Sequence, residues 1–307
     1  MAKIAFVFPG QGAQAVGMGG DFFQIEACKK MLETASSKTG LDMASLCLEG
    51  PEDALSKTEN TQPALLTASA MAFAAFREKS AIKPDFVAGH SLGEFTAVFS
   101  ADGLSFGDAV GIVRKRGLYM SQATGGAMAA VLGLDAQSIE VVCKEVEGVY
   151  PANYNGDAQT VIAGGKEAIE RAVPMLTEKG AKKVVRLNVS AAFHSPFMKP
   201  ASEKLSADLD ALDFKPLSAG LVNNVDAKII TSPEEARAGL KRQVTGAVRW
   251  TDTMRVLLEN GVRTVVEFGP GKTLTGMFKR VDKTLVLCNI EDMASLEKTL
   301  EVLNQNA

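Results

Sequence analysis

The pattern of apolar and polar positions along the chain predicts alternating strands and helices. Residues 3–8 form a mainly apolar run closed by Pro9-Gly10, which is typical of a parallel strand covered on both faces. A second short apolar run at 86–88 leads through a glycine-containing turn into the apolar segment 95–99, which favours a helix. This order predicts an open sheet with helices on both sides.

The remaining periodic segments extend this picture. They predict helices at 22–37, 63–79, 106–120, 196–212, 233–243, 250–259 and 293–303, and strands at 221–223, 263–268 and 284–288. The stretch between 125 and 189 differs in texture: strand 128–132, helix 136–146, strands 149–153 and 160–163, helix 166–178 and strand 183–187. That βαββαβ order is the order of a ferredoxin-like unit.

We therefore expect an α/β fold in two parts. Residues 1–124 and 190–307 are predicted to form a large α/β domain with a mostly parallel sheet and a nucleophile elbow. Residues 125–189 are predicted to form an inserted ferredoxin-like α+β subdomain.

Composition restricts the classes of function. The chain has 307 residues and a formal net charge of −3, which argues against nucleic-acid binding as its main activity. Its four cysteines are far apart and include no CxxC pair, so we expect reduced thiols and no metal site. Because no signal peptide or stretch of membrane-spanning length is evident, the sequence predicts a cytoplasmic protein with no membrane partner.

The clearest chemical motif is Gly89-His90-Ser91-Leu92-Gly93, placed between the predicted strand 86–88 and the helix that follows. Glycines at both ends allow a sharp turn and close packing of the helix. The hydroxyl of Ser91 is then exposed at a helix N-terminus, as in a nucleophile elbow. A plain turn is the alternative interpretation of these five residues.

Two other glycine-rich segments suggest nucleotide binding but fit it less well. Gly10, Gly12 and Ala15 satisfy a relaxed dinucleotide fingerprint, yet the following segment 22–37 is predicted to be helical and not a strand ending in an acid. The segment 271–273 has the Gly-Lys-Thr of a P-loop, but Val266 stands where the first glycine is required. Dinucleotide binding is therefore the weaker interpretation of the first segment, and we reject nucleotide binding at the second.

A serine nucleophile needs a base, and the chain contains two histidines, His90 and His194. His90 adjoins Ser91 in the elbow, so its side chain is expected to point elsewhere and to be packed and hydrogen-bonded. His194 precedes Ser195-Pro196 and is therefore predicted to lie in a loop. By elimination His194 is the candidate base, although no acidic residue is evidently placed as a third triad member.

The predicted helix 106–120 carries Arg114, Lys115 and Arg116 in succession. Because consecutive helical residues are rotated by about 100°, the three side chains cannot point the same way. Either at least one is directed inward, or all three extend to solvent. The helical pattern alone leaves both possibilities open.

Five motifs, in chain order, resemble those of the malonyl-CoA:acyl carrier protein transacylases. They are Phe8-Pro9-Gly10-Gln11-Gly12, Gly89-His90-Ser91-Leu92-Gly93-Glu94, Arg116-Gly117, Ala192-Phe193-His194-Ser195 and Gln243. The resemblance extends over essentially the whole chain and includes the predicted ferredoxin-like insertion.

This resemblance implies catalytic roles. Ser91 would accept malonyl from coenzyme A as a covalent ester, with His194 as the base that later serves as an acid. The backbone N–H groups of Gln11 and Leu92 would form the oxyanion hole. The backbone carbonyl of Gln243 would orient the histidine, which would explain why no acid is evident.

The resemblance also implies substrate contacts. Arg116 would bind the free carboxylate of malonate as a bidentate pair, and Met120 would line the same pocket. Phe193 stands where the family has Phe in malonyl enzymes and Ser in methylmalonyl enzymes, which favours malonyl. Asn155 and Gln159 match polar positions near the family's site, although they could equally be ordinary turn residues.

The implied reaction is the transfer of malonyl from malonyl-CoA to the phosphopantetheine thiol of acyl carrier protein, in support of type II fatty acid synthesis. No cofactor is expected beyond the coenzyme A thioester itself. Two alternatives stay open at this point: a serine esterase or thioesterase with the same elbow, and a non-catalytic module that docks a carrier protein.

Overall fold

The computed structural model describes residues 2–189 and 191–305. Ser190, where the second part of the large domain is predicted to begin, lies outside the described residues, as do Met1, Asn306 and Ala307. The strands are β1 (Lys3–Phe8), β2 (Phe86–Gly89), β3 (Gly126–Leu132), β4 (Val149–Gly156), β5 (Gln159–Gly165), β6 (Lys183–Arg186), β7 (Gly220–Val222), β8 (Ile229–Ile230), β9 (Val262–Phe268) and β10 (Val286–Ile290).

The helices alternate with these strands and agree with most of the predicted segments. They are α1 (Glu26–Thr39), α2 (Met43–Leu48), α3 (Glu52–Leu55), α4 (Thr58–Lys79), α5 (Gly93–Ser100), α6 (Phe106–Ser121), α7 (Ala136–Glu145), α8 (Lys166–Glu178), α9 (Lys199–Asp210), α10 (Pro233–Gln243), α11 (Trp250–Glu259), α12 (Thr273–Val281) and α13 (Met293–Gln305). Short 3₁₀ turns at Gly20–Gln24 and Pro196–Met198 precede α1 and α9. The short elements α2, α3 and β8 were not predicted.

The main sheet has the strand order β10-β9-β1-β2-β7-β8. All its pairings are parallel except that of β7 with β8, which is antiparallel. The central strand β1 is covered on both faces, as its apolar sequence predicts. Phe6 and Phe8 pack into one apolar cluster, whereas Ala5 and Val7 pack into another that contains Trp250.

The second sheet is antiparallel and has the order β4-β5-β3-β6. Apolar residues of α7 and α8 pack on it in a core cluster of their own. This is the predicted ferredoxin-like arrangement, and the predicted fold class is confirmed. Backbone pairing joins β4 to the segment before α11, since Val248 N–H donates to Ala152 O at 2.8 Å and Tyr154 N–H donates to Val248 O at 2.8 Å. The exact domain boundaries stay a prediction.

Helix α4 begins at Thr58, five residues before the predicted start at Pro63. A proline inside a helix has no N–H to donate to the carbonyl four residues earlier, here that of Glu59. Arg114 Nη1 donates to this same Glu59 carbonyl at 2.6 Å. Because α6 thus supplies the missing donor, Pro63 is accommodated within α4. Among the described residues, no helix is both long and apolar enough to cross a membrane.

Candidate active site

The turn between β2 and α5 places Ser91 at the carboxyl end of β2, an interior strand of the main sheet. Ser91 has a φ of 54°, in the left-handed region that side chains other than glycine seldom adopt. The flanking positions require glycine for a different reason. A Cβ at residue 89 would lie 2.0 Å from the Gly93 carbonyl, and one at residue 93 would lie 2.1 Å from Phe8 O. The structure therefore forms the sharp strand-to-helix turn that the motif predicts.

The strained backbone of Ser91 is fixed by Asn224, which follows β7. Ser91 N–H donates to Asn224 Oδ1 at 2.7 Å, and Asn224 Nδ2 donates to Gly89 O at 2.7 Å. The buried amide thus bridges the start and the middle of the turn. Nothing in the sequence singled out this residue, because a lone asparagine after a short strand carries no motif.

Ser91, His194 and Gln243 form a hydrogen-bonded chain. Ser91 Oγ lies 2.7 Å from His194 Nε2, and His194 Nδ1 lies 2.9 Å from the backbone oxygen of Gln243. Because a carbonyl oxygen only accepts, Nδ1 carries the proton and Nε2 is free to accept one from the serine hydroxyl. The structure therefore brings together the three residues predicted as nucleophile, base and histidine-orienting group.

The electrostatic surroundings keep His194 uncharged. The side chain is 4% exposed, and burial, followed by the nearby Arg116 guanidinium, lowers the pKa of His194 to about 3. Both effects disfavour the imidazolium form. A neutral imidazole is the form that can act as a base toward Ser91.

Of the three consecutive cations on α6, Arg116 is the one directed inward. It is 1% exposed, and its guanidinium donates to Ser91 Oγ at 3.1 Å, to Gln62 Oε1 at 2.6 Å and to Gln243 Oε1 at 2.9 Å. Arg114 instead binds the Glu59 carbonyl, and Lys115 forms an exposed ion pair with Asp208. Gln62 was not identified from the sequence, since a glutamine in an alanine-rich helix is usually solvent-exposed.

A small cavity of about 120 Å³ surrounds these groups. Met120 and Phe193 line it, as predicted, together with Gln11, which comes from the loop after β1. Leu92 is buried at the N-cap of α5. Gln11 thus lies in the lining of the cavity that contains Ser91, and Leu92 follows Ser91 in the chain. The role of their backbone N–H groups as an oxyanion hole stays a prediction.

A second, larger cavity adjoins the first. Its volume is about 540 Å³, and three residues line both cavities: Gln11, Val189 and Phe193. Lys57 and Lys166 also line the larger cavity, and both are exposed. The lining of the larger cavity thus contains two cationic side chains and one acidic side chain, that of Glu59.

The two polar residues predicted near the site have different positions. Asn155 Oδ1 accepts a hydrogen bond from His90 Nε2 at 2.8 Å, so it holds the histidine next to the nucleophile. His90 is thus packed and hydrogen-bonded, as expected. Gln159 is not brought to the cavity, because its side chain accepts from Arg280 on the exposed surface, at 3.3 Å. Substrate binding by Gln159 stays a prediction that this placement does not favour.

A buried carboxylate lies behind the elbow. Glu94, in the first turn of α5, accepts from Gln243 Nε2 at 2.7 Å. The sequence shows Glu94 as part of the elbow motif but gives no role for it. Within residues 2–189 and 191–305, no group of three or more His, Cys, Asp or Glu side chains could hold a metal ion.

Comparison with known proteins gives consistent matches over the whole chain. Residues 5–297 match the acyl transferase domain family. A Bacillus subtilis protein described as malonyl CoA-acyl carrier protein transacylase is 42% identical over 313 aligned positions, which cover 99% of this chain and 98% of the relative.

Solved structures agree in fold at similar identity. An acyl-carrier-protein S-malonyltransferase from Burkholderia pseudomallei superposes with a TM-score of 0.94 at 43% identity, covering 97% of this chain and 99% of that one. A malonyl-transacylase in complex with a type II PKS acyl-carrier protein gives a TM-score of 0.94 at 42% identity, covering 98% and 99% of the two chains.

Proposed function

This chain is an enzyme of the acyl transferase domain family, and from that premise we propose that it transfers malonyl from malonyl-CoA to the phosphopantetheine thiol of acyl carrier protein. The observation that carries the proposal is the contact between Arg116 and Ser91, at 3.1 Å. A buried guanidinium beside a nucleophile suits an acyl group that bears a carboxylate of its own.

The first half-reaction uses the chain from Ser91 to Gln243. Ser91 Oγ attacks the thioester carbonyl carbon while its proton passes to His194 Nε2, and the Gln243 carbonyl holds the other ring nitrogen. Negative charge develops on the former carbonyl oxygen, where the N–H groups of Gln11 and Leu92 would stabilise it. The C–S bond then breaks, and His194 returns the proton to the departing coenzyme A thiolate.

The second half-reaction reverses these roles. The carrier thiol gives its proton to His194 and attacks the malonyl ester on Ser91, and the C–O bond to Ser91 breaks as the proton returns to Oγ. Throughout, Arg116 would pair with the free carboxylate. This ping-pong scheme needs no group beyond the two thioester substrates.

The larger cavity supplies a route for the pantetheine arm, which coenzyme A and the carrier share. Lys57 and Lys166 lie along its wall, where they can attract the phosphate of that arm. We propose type II fatty acid synthesis as the context of the reaction. The names of the relatives support malonyl transfer to an acyl carrier protein, which that pathway uses.

Intact mass spectrometry after mixing with malonyl-CoA tests the covalent intermediate. We expect one malonyl adduct, located on Ser91 by peptide mapping and absent from the Ser91→Ala variant. Subsequent addition of holo acyl carrier protein should move the malonyl group to the carrier.

Two outcomes would contradict the proposal. Release of free malonate as the main product in the presence of carrier would identify a thioesterase. Carrier binding without an adduct on any serine would identify a docking module.

A further inference from the structure

The carboxyl group of Glu94 is buried beside the site but has no part in the proton transfers described above. Its side chain is 1% exposed. One oxygen, Oε2, accepts from Gln243 Nε2 at 2.7 Å and from Asn224 N–H at 3.3 Å. Among the described residues, the other oxygen, Oε1, has no hydrogen-bond partner. Burial of an incompletely satisfied carboxyl group is costly, so a local reason for its presence is required.

The side-chain amide of Gln243 connects Glu94 to Arg116. Arg116 Nη2 donates to Gln243 Oε1 at 2.9 Å, and Gln243 Nε2 donates to Glu94 Oε2 at 2.7 Å. The amide therefore lies between a cation and an anion with its dipole aligned to both. Hydrogen bonds in such a chain polarise and strengthen one another in a poorly hydrated interior.

These contacts make Glu94 the counter-charge of Arg116 in the free site. The other charged or titratable groups that act on Glu94 or on the site are few. Arg242 on α10 is largely exposed and paired with Asp226. Burial lowers the pKa of both histidines, His90 and His194, which disfavours their charged forms. The buried site therefore has no net charge when Glu94 is ionised, and a charge of about +1 when Glu94 carries a proton.

We propose that Glu94 sets how strongly the acyl pocket favours a carboxylate-bearing acyl group over a neutral one. This inference rests on the proposed function. When Glu94 is ionised, it offsets part of the attraction between Arg116 and the incoming carboxylate. When Glu94 is protonated, Arg116 acts on the substrate without that competition.

The proton affinity of Glu94 brings this change into the neutral range. Burial raises the pKa of Glu94 to about 7, and the hydrogen bonds from Gln243 and Asn224 and the charge of Arg116 act in the opposite direction. A substrate carboxylate on Arg116 adds a second negative charge nearby, which raises this pKa further. Malonyl loading should therefore be accompanied by proton uptake at Glu94 when the pH is above the pKa of the free enzyme.

The test is the ratio of loading efficiencies for two donors. Adduct formation on Ser91 is measured by rapid quench and mass spectrometry for malonyl-CoA and for acetyl-CoA, from about pH 6 to about pH 8.5, across the titration of Glu94. The coenzyme A phosphates and the state of His194 affect both donors alike and cancel in the ratio. In the unmodified enzyme, we expect the malonyl preference to fall by about tenfold over this range.

The Glu94→Gln variant separates charge from shape. At every pH in the range, this variant should show the malonyl preference that the unmodified enzyme shows at low pH. Asp226→Asn is the matched control, because it neutralises a nearby carboxylate that is bonded to Arg242 and not to Gln243. This control should reproduce the pH-dependent ratio of the unmodified enzyme.

Two results would overturn the inference. A malonyl-to-acetyl ratio independent of pH in the unmodified enzyme does so without any variant. So does a Glu94→Gln ratio that falls with pH as the unmodified ratio does. Absence of any malonyl adduct on Ser91 is a different result, because it rejects the proposed function and this inference together.

Discussion

Two turns lie at the carboxyl ends of parallel strands of the main sheet, and each leads from its strand into a helix. One, residues 89–93, joins β2 to α5, and the other, residues 269–273, joins β9 to α12; both strands flank β1. Each turn also has a buried glutamate beside it, Glu94 in the first case and Glu267 in the second. They resemble each other in position and differ in how completely their groups are satisfied.

In the second turn the buried glutamate is fully hydrogen-bonded and the positive φ values fall on glycines. Glu267 accepts hydrogen bonds from the N–H groups of Leu274 and Thr275, at 3.0 and 2.8 Å, and from Thr275 Oγ1 at 2.9 Å. The positive φ values fall on Gly269 and Gly271, which adopt them without steric cost. A carboxylate at the start of α12 is favoured by the helix dipole as well. This turn stabilises the fold.

In the first turn the backbone is strained and the buried glutamate is incompletely hydrogen-bonded. The positive φ falls on Ser91, which has a side chain, and one oxygen of Glu94 has no partner among the described residues. A buried arginine, Arg116, donates a hydrogen bond to the serine hydroxyl itself, at 3.1 Å. Strain and incomplete pairing thus occur where the proposed chemistry takes place, while the neighbouring turn has neither.

Removing Arg116 should produce the largest effect on malonyl transfer. For Arg116→Ala we expect malonyl loading of Ser91 to fall by about a thousandfold, equivalent to about 4 kcal/mol, because a buried charge pair with the substrate is lost. Acetyl loading should fall far less. The unfolding free energy should also fall, because Gln62 Oε1 and Gln243 Oε1 each lose a buried donor, so loading is compared per folded molecule. Rapid-quench loading with both donors measures this, and equal losses for the two donors would contradict the role of Arg116.

Removing Glu267 should lower the stability of the fold and leave the loading rate unchanged. For Glu267→Ala we expect a loss of about 3 kcal/mol of unfolding free energy, because three buried donors lose their acceptor. The folded fraction should retain its loading rate. Chemical denaturation measures the first quantity and active-site titration normalises the second. A variant that is fully stable but inactive would show that the two turns are not divided in this way.

Strain at the nucleophile should be visible when two variants at residue 91 are compared. Both Ser91→Gly and Ser91→Ala lose the hydroxyl, but only glycine relieves the left-handed backbone. We expect Ser91→Gly to be more stable than Ser91→Ala by about 1 kcal/mol in denaturant titrations. The same exchange at an ordinary extended or helical site favours alanine. Greater stability of the alanine variant would mean that residue 91 carries no strain.

The smallest expected effect is a near absence of pH dependence. Burial and Arg116 lower the pKa of His194 to about 3, so the imidazole stays neutral as the pH falls. We expect an uncharged sulfonyl fluoride to modify Ser91 at about pH 5.5 within about twofold of its rate at about pH 7.5. An ordinary histidine would lose about tenfold over that interval, because it would be protonated below a pKa of about 6.5. A loss of about tenfold would contradict the desolvation of this site.

The sequence predicted the frame of the molecule because its strands are short, apolar and bounded by glycine or proline. The Ser91 turn was predictable for the same reason, since its glycines and its place between strand and helix have a local signature. The start of α4 was not, because the carbonyl that Pro63 leaves without a backbone donor is satisfied by Arg114, which lies on another helix. Tertiary contacts of that kind leave no periodic signal.

The site divides along the same line. Spacing left the direction of Arg114, Lys115 and Arg116 open. The resemblance to a known family singled out Arg116, which in the structure is the buried one of the three. Gln62, Asn224 and Glu94 act through hydrogen bonds to residues distant in sequence, so neither periodicity nor motif could assign them. Their roles follow from these contacts, which only the folded structure brings together.

The spread of the site along the chain also has a consequence for protein synthesis. The serine and histidine are 103 positions apart, and the carbonyl that fixes the histidine lies 49 positions later still. A ribosome therefore finishes the nucleophile well before it makes the groups that activate it. An unfinished or truncated chain presents an ordinary serine, so reactivity toward thioesters arises only when translation has supplied nearly the whole fold.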